Sequence, residues 1–176
     1  MNNNVCCFFG HRTIEITNNL KLKLHGIIKK LIIAKNVDTF LFGSRSQFND
    51  LCYQITTELK TTYPQIKRVY IRAEFPYINE SYKKYLLQSY EDTYFPDNIL
   101  KAGKASYIER NHEMINKSKF WVVYYNQSYT PYKNSASANT CKSGTKIAYD
   151  FAIKKERIVI NMFEEKNRLD NLGLLW

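Results

Sequence analysis

Five short segments of the chain are largely apolar, and stretches with helical periodicity lie between them. The segments are 5–9, 39–42, 66–71, 120–125 and 157–163. A strand with one wet face alternates polar and apolar residues, whereas a strand covered on both faces has no reason to. Short apolar strands that alternate with amphipathic helices therefore predict a parallel sheet with helices on both sides. The expected fold class is α/β, a Rossmann-like three-layer sandwich with a mostly parallel central sheet.

The helical patterns are specific. From Thr17 onward, Leu20, Leu24, Ile27, Ile28, Leu31 and Ile32 recur on one face, and Asn36 closes the run. Phe48, Leu51, Cys52, Ile55 and Leu59 form a second face, stopped by Pro64. A short helix is expected within 82–90 and another over 105–117, with Ile108, His112 and Ile115 on one side. The last covers 143–155, where Ile147, Ala148, Phe151 and Ala152 share a face and Lys154 and Lys155 suit the C-terminal end of the dipole. Residues 90–104 and 126–142 read as loops. The whole chain, 1–176, is expected to be one domain with its core in 5–163. The tail 164–176 should pack on the domain or on a second subunit.

The first four strands each run into a polar turn, and a fifth polar turn opens the last helix. These turns are Gly10-His11-Arg12, Gly43-Ser44-Arg45-Ser46, Arg72-Ala73-Glu74, Asn126-Gln127-Ser128 and, at the last helix, Ser143-Gly144-Thr145. Parallel sheets bind ligands beyond the carboxyl ends of their strands, where strand order reverses. A hydroxyl cap followed by glycine at a helix start leaves free N–H groups and the positive end of the dipole for an anion. Arg45 beside two serines suits phosphate, although a plain Ser46 cap with a solvent-facing Arg45 explains the same residues. His11 and Arg12 fit either ligand contact or an ordinary turn. Glu74 suits a ribose hydroxyl or is a surface carboxylate.

The charge is net +10, from 26 basic and 16 acidic residues, which favours an anionic partner. The lysines are scattered rather than gathered in one run, so most belong to a solvated surface. The four cysteines, Cys6, Cys7, Cys52 and Cys141, have no CxxC spacing, and neither a zinc site nor a disulfide framework is expected. No metal site is expected. Nothing in the sequence reads as a signal peptide or a membrane span, so a cytoplasmic location with no membrane partner is expected. The common NAD, ATP, zincin and hydrolase motifs do not occur.

Six stretches in collinear order resemble a known family. They are CCFFGHR (6–12), FLFGSRSQFNDLC (40–52), RVYIRAEFPYI (68–78), YEDTYFP (90–96), AGKASYIERNHEMI (102–115) and SGTKIAYDFAIKK (143–155). Together they are similar to the SLOG superfamily (SMF/DprA–LOG), in its Firmicute and phage branch of unknown function. The resemblance implies a Rossmann-like sheet, a nucleotide-derived ligand and, by analogy, a homo-oligomer. Superfamily enzymes that cleave the N-glycosidic bond of nucleoside monophosphates carry ERKxxM on a helix and PGGxGTxxE after the next strand. Glu109, Arg110 and Met114 match the first motif, and Gly144-Thr145 match the GT of the second. Cys141 and Lys142 replace its glycines, and its glutamate falls on Ala148. That glutamate would stabilise an oxocarbenium-like transition state or activate water, which alanine cannot do.

The resemblance therefore favours a binding protein over an enzyme, with no required cofactor and a nucleotide-type ligand. NAD, ADP-ribose or a cyclic ADP-ribose-type signal is expected, held as by a sensor or, if the chain is phage-encoded, as by a sponge for an immune signal. The ligand contacts would be Gly10, His11, Arg12, Gly43, Ser44, Arg45, Glu74, Tyr94, Arg110, Ser143, Gly144 and Thr145. Rings within 90–95 would stack on a base. An N-glycosidic hydrolase using Arg110 with Glu74 or Asp150 is the alternative. Single-stranded DNA binding, as in DprA members, is the third reading and the less favoured one.

Overall fold

The computed structural model describes residues 4–43, 46–74, 77–129, 143–155 and 157–163. Six strands and five helices alternate along them: β1 (Val5–Gly10), α1 (Asn18–Lys35), β2 (Thr39–Phe42), α2 (Gln47–Thr62), β3 (Lys67–Ile71), α3 (Glu80–Leu87), β4 (Asp92–Tyr94), α4 (Ser106–Lys117), β5 (Phe120–Tyr124), α5 (Gly144–Lys154) and β6 (Ile158–Asn161). All strand pairs are parallel, in the order β4-β3-β2-β1-β5-β6. The order reverses between β1 and β5. The expected α/β sandwich is thus present, with an all-parallel sheet. The expected tail 164–176 lies outside the described residues.

Alternation along β1 sorts the two cores. Cys6 and Phe8 face a layer formed by α1 and α2, with Leu24, Ile28, Leu31, Phe48, Cys52 and Leu59. Val5, Cys7 and Phe9 face the other way, against Met114 and Ile115 of α4 and Ala148 and Ala152 of α5. Successive side chains of a strand point to opposite faces, so a strand between two layers must be apolar at every position. Each fully buried large side chain contributes about 1.5–3 kcal/mol, and this alternating set holds the three layers together.

The helix ends follow from single residues. The Thr17 hydroxyl accepts from the Leu20 amide at 3.1 Å, and Asn36 closes α1 in the left-handed region at φ 53°. The Ser46 hydroxyl accepts from the Asn49 amide at 3.2 Å and starts α2. Asparagine tolerates that left-handed conformation better than other side chains, so Asn36 can stop the helix without strain.

The stretch 90–104, expected to be a loop, contains β4 and two 3-10 turns, at Asp97–Ile99 and Gly103–Ala105. A three-residue edge strand with Asp92 and Thr93 has too little apolar length to register as a strand. Its pairing to β3, from Val69↔Asp92 to Ile71↔Tyr94, supplies what local sequence does not.

Gly10 ends β1 under α2. A Cβ built there falls 2.4 Å from Cβ and 2.5 Å from Cγ of Phe48, neither of which can swing away. Gly10→Ala is expected to push α2 off β1 and to lower the unfolding free energy by about 2 kcal/mol. Denaturant melts check this; a loss within ~0.5 kcal/mol would mean that α2 shifts freely.

Candidate functional site

The strand order reverses between β1 and β5, which puts the candidate site beyond their carboxyl ends. The β1 ladder runs one residue past the strand, with the His11 amide donating to the Tyr124 carbonyl at 3.4 Å. The His11 ring is only 2% exposed. Its Nε2 lies 2.9 Å from the Asn126 amide and 3.2 Å from the Asn126 carbonyl oxygen. If Nε2 accepts from the amide, the shorter contact, the neutral ring's proton is on Nδ1; if Nε2 donates to the carbonyl, the proton is on Nε2. Among the described residues Nδ1 has no hydrogen-bond partner. Tyr129 stacks on the ring at 3.8 Å, and Tyr125 lies 5.9 Å away. A turn built on Asn126 places Tyr129 there, its side chain accepting from the Ser128 amide and its carbonyl from the Tyr129 amide.

The exit of β5 is clamped from the other side as well. The Asn161 carboxamide accepts from the Tyr125 amide at 3.0 Å and donates to the Tyr125 carbonyl at 2.9 Å. A side chain here continues the ladder where β6 ends. Tyr125 is thereby presented to α5, stacking on Tyr149 at 4.5 Å with the Lys146 ammonium 5.9 Å from its ring.

Burial holds the His11 pKa below its ordinary 6.5, with a bond to the Asn126 backbone opposing. The folded state therefore resists a proton that the unfolded chain takes up readily. Stability is full above the unfolded value of about 6.5 and falls as the pH drops through it towards the folded value. Thermal melts from about pH 8 to pH 5 are expected to show this acid-side loss, with a shallower slope in His11→Gln. Equal slopes in the two proteins would exclude His11 as the source.

Over β2 and β3 the organising group is Arg110 of α4, 3% exposed. Its Nη1 donates to the carbonyls of Gly43 and Ile71, and its Nε donates to the Asn111 side chain at 2.9 Å. Arg110 thus ties the carboxyl ends of two neighbouring strands to a helix in the opposite layer. The guanidinium lies 5.8 Å from the Tyr107 ring, and the Tyr107 hydroxyl donates to Glu74 at 2.8 Å. Among the described residues no carboxylate stands within ion-pair distance of Arg110. Burial pulls its pKa down, with Tyr70, Glu74 and Tyr107 opposing. A Cβ at Gly43 would fall 2.7 Å from Nη1 and 2.9 Å from Cδ of Arg110, so glycine is there to let this side chain cross.

At α5 the Ser143 hydroxyl accepts from the Lys146 amide at 3.1 Å, the expected cap. Among the described residues a Cβ on Gly144 would meet nothing within 4 Å, so their packing does not require glycine there. Thr145 is half-buried beside it. Ala148 faces inward, in the second core cluster. Asp150 lies 3.4 Å from the Lys146 ammonium.

The structure brings His11 to Asn126, and Arg110 to Gly43 and, through Tyr107, to Glu74. Gly10 is set by Phe48 packing. Arg12 is exposed, and its carbonyl accepts from the Gln47 amide at the start of α2. Ser44 and Arg45 lie outside the described residues. The Tyr94 hydroxyl is hydrogen-bonded to Lys117 in the last turn of α4 at 3.0 Å, and its ring packs on the second core cluster. Tyr90 packs among Tyr53, Tyr70 and Phe42. Sequence reasoning passed over Asn161, Tyr125, Tyr129 and Tyr149. Asn161 alone carried a signal, as an amide inside an apolar strand.

Among the described residues no three His, Cys, Asp or Glu side chains are placed to hold a metal ion, and no helix is long and apolar enough to cross a membrane. In comparisons with known proteins, no family model and no curated protein matches the chain.

Proposed function

We propose that the protein binds a phosphorylated, nucleotide-derived ligand at the carboxyl ends of its strands and does not turn it over. The observation that carries this is Arg110. A buried guanidinium that keeps its charge needs an anion, and two backbone carbonyls supply only part of that. Those carbonyls and Asn111 occupy Nη1 and Nε, and Nη2 donates to none of the described residues, which leaves it for a phosphate oxygen. The N-terminus of α5, with open space over Gly144, offers free amides and a favourable dipole for a second phosphate.

The resemblance to the SLOG superfamily supplies the ligand class: NAD, ADP-ribose or a cyclic ADP-ribose-type signal. Holding such a molecule without converting it suits a sensor or, in a phage, a sponge. Binding is favoured over hydrolysis because Ala148, buried in the second core cluster, stands where the superfamily's hydrolases carry their glutamate, and alanine cannot act as a base or stabilise an oxocarbenium-like transition state.

Calorimetry with NAD, ADP-ribose, cyclic ADP-ribose isomers and AMP tests this, with chromatography of the same mixtures. Saturable heat with intact ligand is expected. Release of free base or ribose 5-phosphate would replace binding with N-glycosidic cleavage. Silence across the panel, with salt-sensitive retention of single-stranded DNA, would move the function to nucleic acid.

A further inference from the structure

We propose that His11 donates its Nδ1–H to an anionic phosphate oxygen of the ligand where the strand order reverses, and that Asn161 is the positioning residue that keeps this donor in place. The proposal rests on the binding function above and names the group that reads phosphate on the β1/β5 side of the rim.

Buried polar groups in folded proteins are nearly always hydrogen-bonded, and the exceptions call for a cause. His11 is such an exception in an ordered setting. Its ring is almost fully enclosed, Nε2 is engaged by the Asn126 amide, and Nδ1 has no partner. With the shorter contact made, the Asn126 amide donates, Nε2 accepts and the proton sits on Nδ1; the ring's alternative bond, to the Asn126 carbonyl at 3.2 Å, is the longer one. In that arrangement the residue is a neutral donor.

The groups around the ring favour an anion as its acceptor. The rings of Tyr125 and Tyr129 stand beside it, and on α5, on the far side of Tyr125, stands the ammonium of Lys146. No carboxylate among the described residues makes a hydrogen bond or ion pair with His11. Tyr129 is only half-buried and is held by a short turn, so it is the part that yields to admit a ligand.

Asn161 enters one step back. Its carboxamide pairs with both backbone groups of Tyr125, which fixes the path of the chain into Asn126. That path decides whether the Asn126 amide points at Nε2. Without it the ring is free to change tautomer, and the donor at Nδ1 becomes an acceptor that repels phosphate.

Two-bond proton–nitrogen NMR of the wild-type protein reads both claims. The free protein is expected to show a neutral His11 with its proton on Nδ1. ADP-ribose, AMP and inorganic pyrophosphate are expected to shift the Nδ1 resonance along the calorimetric saturation curve, while uncharged adenosine leaves it in place. His11→Ala is expected to weaken ADP-ribose binding roughly 10- to 100-fold. Asn161→Ala is expected to populate the other tautomer, a change that a merely structural role would not produce. Binding of the anionic probes with an unmoved His11 resonance would overturn this proposal and leave the binding function standing. An adenosine shift equal to that of AMP would overturn the anionic class. If no probe gives heat or moves any resonance, both fail.

Discussion

Glu91→Ala is expected to lower the unfolding free energy by about 3 kcal/mol and the melting temperature by about 6–12 °C. Arg68 is the reason. Its guanidinium donates to Glu91 through Nε at 3.1 Å and Nη2 at 2.7 Å, and through Nη1 to Thr57 at 2.7 Å. The same carboxylate accepts from the Arg68 amide at 2.7 Å and lies 3.6 Å from Lys60. The Arg68 side chain is 9% exposed, so removing its anion leaves a nearly buried cation with the Thr57 hydroxyl and, 5.2 Å away, the Tyr53 ring. Glu91 itself is 28% exposed, which places the loss at the lower end for a broken buried pair. The paired substitution Arg68→Met with Glu91→Met is expected to recover most of the loss, since it removes both charges at once. If the double variant is no more stable than Glu91→Ala, the packing of the two stems matters more than their charges. Burial would raise the Glu91 pKa, but the bonds from the Arg68 side chain and amide, and the charges of Arg68 and Lys60, together hold it below the ordinary 4.5. The stabilisation is therefore full above about pH 4.5 and lost as pH falls through the folded value, so the gap between wild type and Glu91→Ala closes in acid.

Apart from β4, the strands and helices are legible because each carries its own local signal. Apolar runs such as Phe8-Phe9 and Val122-Val123, and caps such as Thr17, Ser46 and Ser143, need no knowledge of distant partners. The same holds for the polar turns, which chain order alone places at strand ends. What local sequence cannot carry is the reason a residue stands there. Gly10 and Gly43 are read from sequence as ligand contacts, but the close packing of Phe48 and of Arg110 against them, from 38 and 67 positions away, appears only in the fold. Tyr90 and Tyr94 look like stacking rings, yet the first packs on β2, β3 and α2 and the second meets Lys117. The edge strand β4 has no signal of its own, because its order comes from β3. Asn161 shows the intermediate case: its polarity stands out within an apolar strand, but its partner Tyr125 is 36 positions away and invisible without the fold.

Arg110 offers the sharpest separation of fold from ligand. Arg110→Met is expected to weaken ADP-ribose binding about 100-fold, the loss of a charge-assisted pair in a dry setting. Its effect on stability should be small for a buried arginine. Two carbonyls, of Gly43 and Ile71, lose their donor at a cost of about 1–3 kcal/mol, while removal of an unpaired buried charge offsets much of that. Gly43→Ala approaches the same group from the other side. Its Cβ would stand 2.7 Å from Nη1, and the far end of a long side chain can shift where backbone cannot. The fold should lose under about 1.5 kcal/mol, while the displaced guanidinium no longer presents Nη2 at its original place. Gly144→Ala completes the set, since open space there means stability within about 0.5 kcal/mol of wild type. Calorimetry and thermal melts on the three variants then distinguish the two halves of the rim. Weak binding in Arg110→Met and Gly43→Ala alone puts the phosphate over β2 and β3. Weak binding in Gly144→Ala as well extends it to α5, because a methyl group there meets none of the described residues within 4 Å.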